Sequence, residues 1–283
     1  MVNAPAKMPA TMASAVSALP MNKKAFAALA ALVLLAAFIW LRGALGLADA
    51  SDTLPLRAAF PLYLWLTMPW SARTGAPARL PRTAFAGIAL TLAGILADST
   101  LLLAIGWIAF LDAFQSTFLE KIPRRFLVLP FLGFPWLTQN LDALGWLFRY
   151  TGAGAVQFLF IILGMTVHRE GTLLFINNLP LSIEPACAGL NVLQSMLIVG
   201  CLLICIRIPG GWRFWLAISS LVPLAWVANT FRIFMLGCAG LMFGSDFARG
   251  WFHQWGGWLV LCLMFLLCER VFNLLARKRR IAA

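Results

Sequence analysis

The stretch AFAALAALVLLAAFIWL at residues 25–41 contains no charged side chain. Lys23 and Lys24 directly precede it. At about 1.5 Å per helical residue, a run of this length spans roughly 26 Å, close to the ~30 Å hydrocarbon core of a bilayer. The N-terminal residues before it, 1–24, lack the compact charged, apolar and small-residue order of a cleavable signal peptide. We therefore expect a retained signal anchor that crosses the membrane.

Seven further apolar runs follow, and with the first they predict an all-α polytopic membrane protein of about eight transmembrane helices. The runs are residues 56–71, 84–98, 100–118, 126–138, 187–206, 213–236 and 251–269. The composition agrees, because 62% of the 283 residues are hydrophobic and only 11% are charged, against roughly 25% charged in ordinary soluble domains. This balance excludes most soluble enzymes and excludes intrinsic disorder.

The basic residues concentrate in alternate loops and so orient the chain. Sixteen of the 22 Lys and Arg fall on one side: Lys7, Lys23, Lys24, Arg73, Arg79, Arg82, Lys121, Arg124, Arg125, Arg207, Arg213, Arg270, Arg277, Lys278, Arg279 and Arg280. The positive-inside rule makes this side cytoplasmic, which predicts a multi-pass protein of the cytoplasmic (inner) membrane with both termini inside. The net charge of +12 is then an orientation signal rather than a groove for nucleic acid, and we expect no nucleic-acid partner.

The pattern divides the chain into five parts. They are an N-terminal tail (1–24), N-terminal transmembrane helices (25–138), an outer segment (139–186), transmembrane helices that carry the candidate site (187–270) and a basic cytoplasmic tail (271–283). Translation from either Met1 or Met21 is compatible with the sequence.

The outer segment has two expected parts. Pro130 and Pro135 break the preceding run, and polar residues interrupt the apolar pattern after it. We expect 139–166 to be a helix on or dipping into the outer leaflet, because an odd number of crossings before His168 is needed to place that residue outside. A transmembrane hairpin is the alternative. In 168–186, two short extended runs flank Asn177-Asn178, which predicts a β-hairpin outside the membrane, since lipid does not tolerate an open sheet edge.

Cys187 lies in the sequence EPACAGLN at residues 184–191. Pro185 disfavours helix at the residue before it and suits the first turn after it, so Cys187 falls at the N-terminus of the next helix. Thiols at helix N-termini have a lowered pKa, which makes the nucleophilic thiolate available. Gly189 permits a close approach, and Asn191 lies on the same helical face as the thiol, where it offers hydrogen bonds.

Two further polar residues stand in apolar surroundings. Arg232, with Asn229 one turn earlier on the same face, lies inside a long apolar run. Such an arginine costs a few kcal/mol or more, so it is expected to face a functional polar cavity. His253 lies among tryptophans at the outer mouth of the last run.

Each of these residues lies one membrane width from a basic residue of the cytoplasmic side. The separations are 20 residues from Cys187 to Arg207, 19 from Arg213 to Arg232 and 17 from His253 to Arg270. At about 1.5 Å per residue they amount to roughly 30, 28 and 26 Å. All three should therefore meet at the outer surface, where a cysteine nucleophile, a histidine base and an arginine donor would make a thiol acyl-transfer site.

Other polar residues are weaker candidates. His168 is the competing base, but it stands with Arg169 and Glu170 in a polar stretch. Glu184 either orients Arg232 or His253 or only caps a helix. The remaining cysteines lie in apolar runs, where cysteine usually acts as a small hydrophobe: Cys201, Cys205, Cys238, Cys262 and Cys268. No Cys/His spacing typical of a metal site is present, so we expect no metal and no cofactor.

The chain resembles the exosortase/archaeosortase family of membrane transpeptidases. The resemblance lies in Cys187-Ala188-Gly189, then Asn229 with Arg232-Ile233, then His253 with Gly256-Gly257, in this order on successive helices, and in the hairpin before them. It is good over roughly 150–269 and loose before that. Ala188 departs from the pattern, because many members carry Ser or Thr there.

The resemblance implies an enzyme that cleaves exported proteins at a C-terminal sorting signal, composed of a short motif, a transmembrane helix and a basic tail. Cys187 would form a thioester, His253 would serve as base and then as acid, and Arg232 would stabilise the oxyanion or the thiolate. An unidentified amine or hydroxyl acceptor would then release the product. Two alternatives stay open: a processing endopeptidase that uses water, and a polytopic carrier or polysaccharide-export component in which Arg232 binds an anion.

Overall fold

The computed structural model describes residues 23–44, 54–73, 81–120, 122–140, 142–177, 179–183, 190–248, 250 and 253–280. Helices dominate these residues, with one small sheet. The helices are α1 (Lys23–Ala44), α2 (Leu54–Thr67), α3 (Arg82–Leu96), α4 (Thr100–Phe118), a 3₁₀ turn (Arg124–Leu127), α5 (Val128–Leu132), α6 (Trp136–Asn140), α7 (Asp142–Ile162), α8 (Leu190–Arg207), α9 (Trp212–Phe243), α10 (Ser245–Phe247) and α11 (His253–Arg280). The strands β1 (Val167–Glu170), β2 (Leu173–Ile176) and β3 (Leu179–Ser182) lie between α7 and α8.

Several helices have the length and composition of membrane spans. Within the described ranges, Lys23–Arg42, Thr100–Phe118 and Trp212–Phe243 are long and apolar enough to cross a bilayer, and Arg82–Leu96 and Leu193–Arg207 are shorter apolar helices. These helices are those of a membrane protein. The total of eight crossings stays a prediction.

Helix α9 is longer than a bilayer requires. Its 32 residues extend about 48 Å, whereas the hydrocarbon core is about 30 Å thick. If Arg213 marks one membrane surface, the other surface is reached about 20 residues later, near Ile233. The final turns of α9 thus project beyond the core, and the sheet packs against this projecting end, where β3 contacts α9.

Small residues bring α3 and α4 into close contact as a helical hairpin. A Cβ at Gly106 of α4 would lie 2.6 Å from Thr91 Oγ1 and 3.0 Å from the Thr91 backbone nitrogen of α3. A Cβ at Gly94 of α3 would lie 2.9 Å from the Leu103 backbone nitrogen. Helices in membranes gain stability mainly from such tight packing, because lipid offers no hydrophobic drive for association.

We expect Gly106→Ala to destabilise this hairpin by about 1–3 kcal/mol, because its methyl group would overlap the backbone of α3. The thermal unfolding midpoint of the purified protein in detergent measures the effect. Thr91→Ala should restore part of the loss in the double variant, since it removes only the closer of the two clashes. Gly250→Ala is the matched control, because no atom of the residues described above lies within 4 Å of its Cβ position. An unchanged midpoint for Gly106→Ala would contradict the packing.

The predicted run 126–138 is not a single helix. The structure divides it into the end of the 3₁₀ turn, α5 and the start of α6. Pro130 lies in α5 and Pro135 directly before α6, and proline removes a backbone donor and so prevents a continuous helix. The short pieces pack under α2 and α8. Between α5 and α6, the carbonyl oxygen of Gly133 accepts a 3.0 Å hydrogen bond from Trp40 Nε1 of α1.

The sheet is a three-stranded antiparallel meander in the order β1-β2-β3. Strands β2 and β3 pair from Leu173 opposite Ser182 to Ile176 opposite Leu179. Strand β1 was not expected from the sequence. It pairs with β2 and is tied to α7 by Arg169, whose Nη1 donates to Tyr150 O over 3.1 Å.

Alternation within β2 gives the sheet a buried face. Leu174 and Ile176 are fully buried, whereas their neighbours Leu173 and Phe175 are partly exposed. The buried pair forms a cluster, here called the sheet core. Its other members are Ala153, Val156 and Phe160 of α7, Ile183 directly after β3, and Ile233 of α9. The sheet core fixes the sheet to α7 and to the projecting end of α9.

Candidate active site

Buried polar residues interrupt the apolar surface of α9 near its membrane exit. Arg232 is half-buried and has interaction partners. Asn229, one turn earlier on the same face, is only 1% exposed, and Thr230 beside it is 7% exposed. Because buried polar groups carry a desolvation cost, a cluster of this kind inside a membrane helix points to a polar site rather than to simple packing.

Helix α7 covers this part of α9 and runs parallel to it. Trp226 Nε1 donates to Thr151 Oγ1 over 2.9 Å, and a Cβ at Gly152 would lie 3.6 Å from Thr230 Oγ1. Farther along both helices, the rings of Phe160 and Phe234 lie 4.9 Å apart. A Cβ at Gly152 would make ordinary van der Waals contact at this distance, so α7 lies directly beside the polar cluster.

The packing of α8 on α9 sets the level of Arg232 within the bundle. The two helices are consecutive and antiparallel, and a Cβ at Gly200 of α8 would lie 2.5 Å from Leu221 Cδ2 of α9. Arg232 is eleven residues after Leu221, and residue 189 is eleven residues before Gly200. Since both helices rise by about 1.5 Å per residue, Arg232 lies level with the first turn of α8, which begins at Leu190.

The packing of α8 on α11 sets the level of His253 in the same way. Arg207 Nη2 of α8 lies 3.5 Å from Glu269 Oε1 of α11. His253 precedes Glu269 by sixteen residues, and Asn191 precedes Arg207 by sixteen residues. The two helices run in the same direction, because the short connection after α9 returns the chain to the end where α8 begins. The backbone of His253 therefore lies level with the first turn of α8.

Helices α8, α9 and α11 each contact the other two. Packed helices have axes about 8–10 Å apart. The start of α8, Arg232 on α9 and the start of α11 thus share one level of one three-helix group. The common level follows from the contact of Leu221 with Gly200 and from that of Glu269 with Arg207. Both contacts lie far from the residues whose levels they give.

The sheet lies immediately beyond this level. A Cβ at Gly237 of α9 would lie 3.3 Å from Ile176 Cδ1, and a Cβ at Gly240 would lie 3.0 Å from Leu179 Cδ2. After β3 the buried Ile183 donates its N–H to Thr172 O over 3.2 Å. The chain then passes from Ile183 on the sheet to Leu190 at the start of α8.

Part of the predicted site falls outside the described residues. Glu184, Cys187 and Gly189 belong to the undescribed segment 184–189. Asn191 and His253 are described as helical backbone only, in the first turn of α8 and at the start of α11. Arg232 and Asn229 are described in full and lie one turn apart on α9.

The competing base lies on an exposed surface. His168 on β1 has a side chain that is 73% exposed, and its Nε2 lies 3.3 Å from Glu170 Oε1. In β1 both residues point away from the sheet core, because His168 and Glu170 are exposed and alternate with partly buried neighbours. His168 is therefore separated from α9 by the sheet itself.

The described cysteines show no active-site arrangement. Cys201, Cys205 and Cys268 are buried, as expected for small hydrophobic side chains, whereas Cys238 is partly exposed and Cys262 is exposed on the apolar surface of α11. Within the described residues, no group of three or more His, Cys, Asp or Glu could hold a metal ion.

Three residues around the site were not singled out from the sequence. Thr230 is buried against α7, and Gly237 and Gly240 receive the sheet. The pair of glycines three residues apart within an apolar helix is a signal for close packing of a neighbouring element. Thr230 offered no such signal, because its burial depends on the position of α7.

A comparison with protein families gives one match. The family model described as transmembrane exosortase matches residues 13–269, which is most of the chain. No curated protein and no solved structure is similar enough to the chain to count as a match.

Proposed function

The chain belongs to the transmembrane exosortase family, and on this premise we propose that it is a membrane-embedded cysteine transpeptidase for exported proteins. It cleaves a C-terminal sorting signal through a thioester and transfers the new C-terminus to an acceptor. The family supports the class of activity. The nucleophile, the base and the oxyanion donor are assigned from this chain's own residues.

The common level of Arg232, His253 and the start of α8 carries the assignment. Cys187 is three residues before Leu190 along the chain. Three residues span at most about 11 Å, so the thiol-bearing residue stays within that reach of the first turn of α8. The proposed nucleophile thus precedes α8, the proposed base begins α11 and Arg232 lies on α9, at one level of three mutually packed helices.

In the first half-reaction His253 takes the proton of the Cys187 thiol, and the resulting thiolate attacks the scissile carbonyl carbon. The carbonyl oxygen becomes an oxyanion, which Arg232 stabilises by charge-assisted hydrogen bonds. The C–N bond then breaks, His253 returns the proton to the leaving amine, and the substrate's N-terminal part stays on sulfur as a thioester.

In the second half-reaction an amine or hydroxyl acceptor attacks the thioester carbonyl. His253 removes the acceptor's proton, the C–S bond breaks, and the Cys187 thiolate is restored. The same steps with water as acceptor would make the protein a processing endopeptidase. The acceptor, and not the residues of the site, separates these two activities.

The supporting residues are assigned by their positions on the same elements. Asn229 is buried one turn from Arg232 and suits a role in holding the guanidinium. Asn191 in the first turn of α8 offers hydrogen bonds to the substrate, Gly189 allows the substrate backbone to come close, and Glu184 orients Arg232 or His253.

The proposed orientation places this site on the outer face of the cytoplasmic (inner) membrane. The turn between α8 and α9 carries Arg207 and Arg213, and basic loops stay in the cytoplasm. The sheet and the common level of Arg232 and His253 lie at the opposite end of the same helices. An exported protein therefore reaches the site without crossing the membrane again.

Capture of the covalent intermediate tests the proposal. The purified protein in lipid nanodiscs is mixed with a tagged substrate that carries a sorting motif, a transmembrane helix and a basic tail. After an acid quench, we expect a mass increase equal to the N-terminal part of the substrate, located on Cys187 by peptide mass spectrometry. Neutral hydroxylamine should release this part as a hydroxamate, because it attacks thioesters.

The products separate the alternatives. A product joined to an added amine supports the transpeptidase, whereas a free carboxylate alone, even with amine present, supports the endopeptidase. A substrate that stays intact without any adduct would refute both and would leave the carrier as the function.

A further inference from the structure

A large cavity opens at the end of the bundle opposite the candidate site. Its volume is about 1110 Å³, slightly above the range of small-molecule sites, about 300–1,000 Å³. It lies between α9 and α11 and ends at the turn from α8 to α9. Its apolar walls include Leu216, Leu224 and Val227 of α9 and Val271 and Phe272 of α11.

Cations surround one end of this cavity. Arg207 and Arg213 both line it. Arg125 approaches from the preceding 3₁₀ turn, and its Nη1 lies 3.5 Å from the Cβ position of Gly210, another lining residue. Glu269 offsets part of this charge through its 3.5 Å contact with Arg207. The mouth of the cavity is therefore cationic, and its inner walls are apolar.

The apolar part has the depth of a single leaflet. Leu216 and Val227 are eleven residues apart on α9, which corresponds to about 16 Å. The hydrocarbon core is about 30 Å thick, so one leaflet occupies about half of it. Trp212, which is 70% exposed, stands at the same end as the arginines, as expected for a residue at the membrane–water interface.

We propose that this cavity binds an anionic phospholipid, with its phosphate at Arg207 and Arg213 and an acyl chain along α9 and α11. Basic pockets between transmembrane helices bind anionic head groups in this manner. The apolar walls contribute by burying the acyl chain against fixed side chains, and the arginines select the charge of the head group. In the proposed orientation the lipid comes from the cytoplasmic leaflet.

The transmembrane helix of a substrate fits this cavity poorly for two physical reasons. A spanning helix needs apolar contact over about 30 Å, and the lining extends over about half of that. The proposed substrate also carries its basic tail on the cytoplasmic side, where it would meet Arg207 and Arg213 and be repelled. A phospholipid has both the matching length and the matching charge.

Native mass spectrometry of the purified, delipidated full chain tests this binding without any processing assay, so its failure is distinct from failure of the proposed enzyme. The protein is titrated with phosphatidylglycerol and with phosphatidylcholine of the same acyl chains. We expect one phosphatidylglycerol to bind and phosphatidylcholine to bind several-fold more weakly. One arginine near an anionic lipid is worth about 1 kcal/mol, or about fivefold, so Arg207→Gln with Arg213→Gln should weaken binding about 30-fold.

Two further variants sharpen the test. Arg82→Gln removes an exposed arginine at the start of α3, outside the cavity, and should leave phosphatidylglycerol binding unchanged. Leu216→Trp places a larger side chain in the cavity while it keeps both arginines, and should weaken binding of both lipids. If the double arginine variant does not fold, Arg213→Gln alone and Leu216→Trp test whether the cavity binds the lipid.

Several outcomes would overturn the proposal. They are equal binding of the two lipids, equal loss in the Arg82 variant, displacement of the lipid by millimolar inorganic phosphate, and competitive displacement by a transmembrane peptide with a basic tail. The last result would assign the cavity to the substrate instead.

Discussion

Replacement of Cys187 by Ala should abolish processing of a sorting-signal substrate, with a loss beyond the detection limit of a cell-based assay. The proposed reaction has no first step without the thiolate, because sulfur is the atom that bonds to the scissile carbonyl. In a protease with an analogous covalent step, removal of the nucleophile lowers kcat on the order of 10⁶-fold. The measurement is the ratio of cleaved to uncleaved tagged substrate on co-expression.

Cys262→Ala is the matched control. Cys262 is exposed on α11, away from the common level of Arg232 and His253, so its loss should leave processing and stability unchanged. Cys187→Ser should also be inactive, although serine keeps the size and hydrogen bonding of the side chain, because its hydroxyl is far less acidic than a thiol. Normal processing by Cys187→Ala would remove both the transpeptidase and the endopeptidase from consideration.

The helices could be predicted from the sequence because membrane spans are decided locally. An apolar run of sufficient length must form a helix in lipid to satisfy its backbone, whatever it packs against. Residues 100–118 are an example, since the predicted run and helix α4 have the same bounds. Helix ends that depend on tertiary contacts were predicted less well. Helix α9 was expected to end at residue 236 but continues to Phe243, where β3 packs against it.

Strand β1 shows why the sheet was only partly predicted. Its sequence, Val167-His168-Arg169-Glu170, has little apolar alternation. The strand is fixed instead by pairing with β2 and by the contact of Arg169 with Tyr150, which depend on the position of α7. Long-range pairing of this kind leaves no local pattern for sequence analysis to detect.

The site residues stay a prediction, and the sequence supports them only to the extent that distance along a helix measures depth. Counting residues to Arg213 gave a depth for Arg232, and counting to Arg270 gave a depth for His253. Counting along the helices from the packing contacts at Gly200 and Arg207 gives a common level for these two residues. Which helices are neighbours could not be obtained from counting, since it depends on the contacts among α8, α9 and α11.

Arg232→Gln should lower kcat/KM for processing by about 10²–10³-fold, the usual effect of removing one oxyanion donor. Glutamine keeps a hydrogen-bond donor and similar length but loses the charge that balances the oxyanion. Arg232→Lys should retain intermediate activity, because the charge remains whereas the planar pair of donors is lost. The yield of thioester adduct and the rate of processing measure both variants.

A second measurement distinguishes the two roles that an arginine can have here. If Arg232 also holds the thiolate, its positive charge lowers the pKa of Cys187, and its removal raises that pKa. Alkylation of Cys187 by iodoacetamide, followed at peptide level by mass spectrometry, would then shift to higher pH in Arg232→Gln. An unshifted alkylation profile together with a low kcat/KM would assign Arg232 to the oxyanion alone.

Arg57→Gln provides the reference for these variants, because Arg57 is an exposed arginine on α2, whereas Arg232 is half-buried on α9. Removal of an exposed charge should change stability by at most about 0.5 kcal/mol and leave processing intact. Thermal unfolding of Arg232→Gln must also stay close to that of the parent, since a collapsed fold would lower activity for an unrelated reason. A folded Arg232→Gln variant with full activity would contradict the proposed site, because neither the oxyanion nor the thiolate would then depend on the guanidinium.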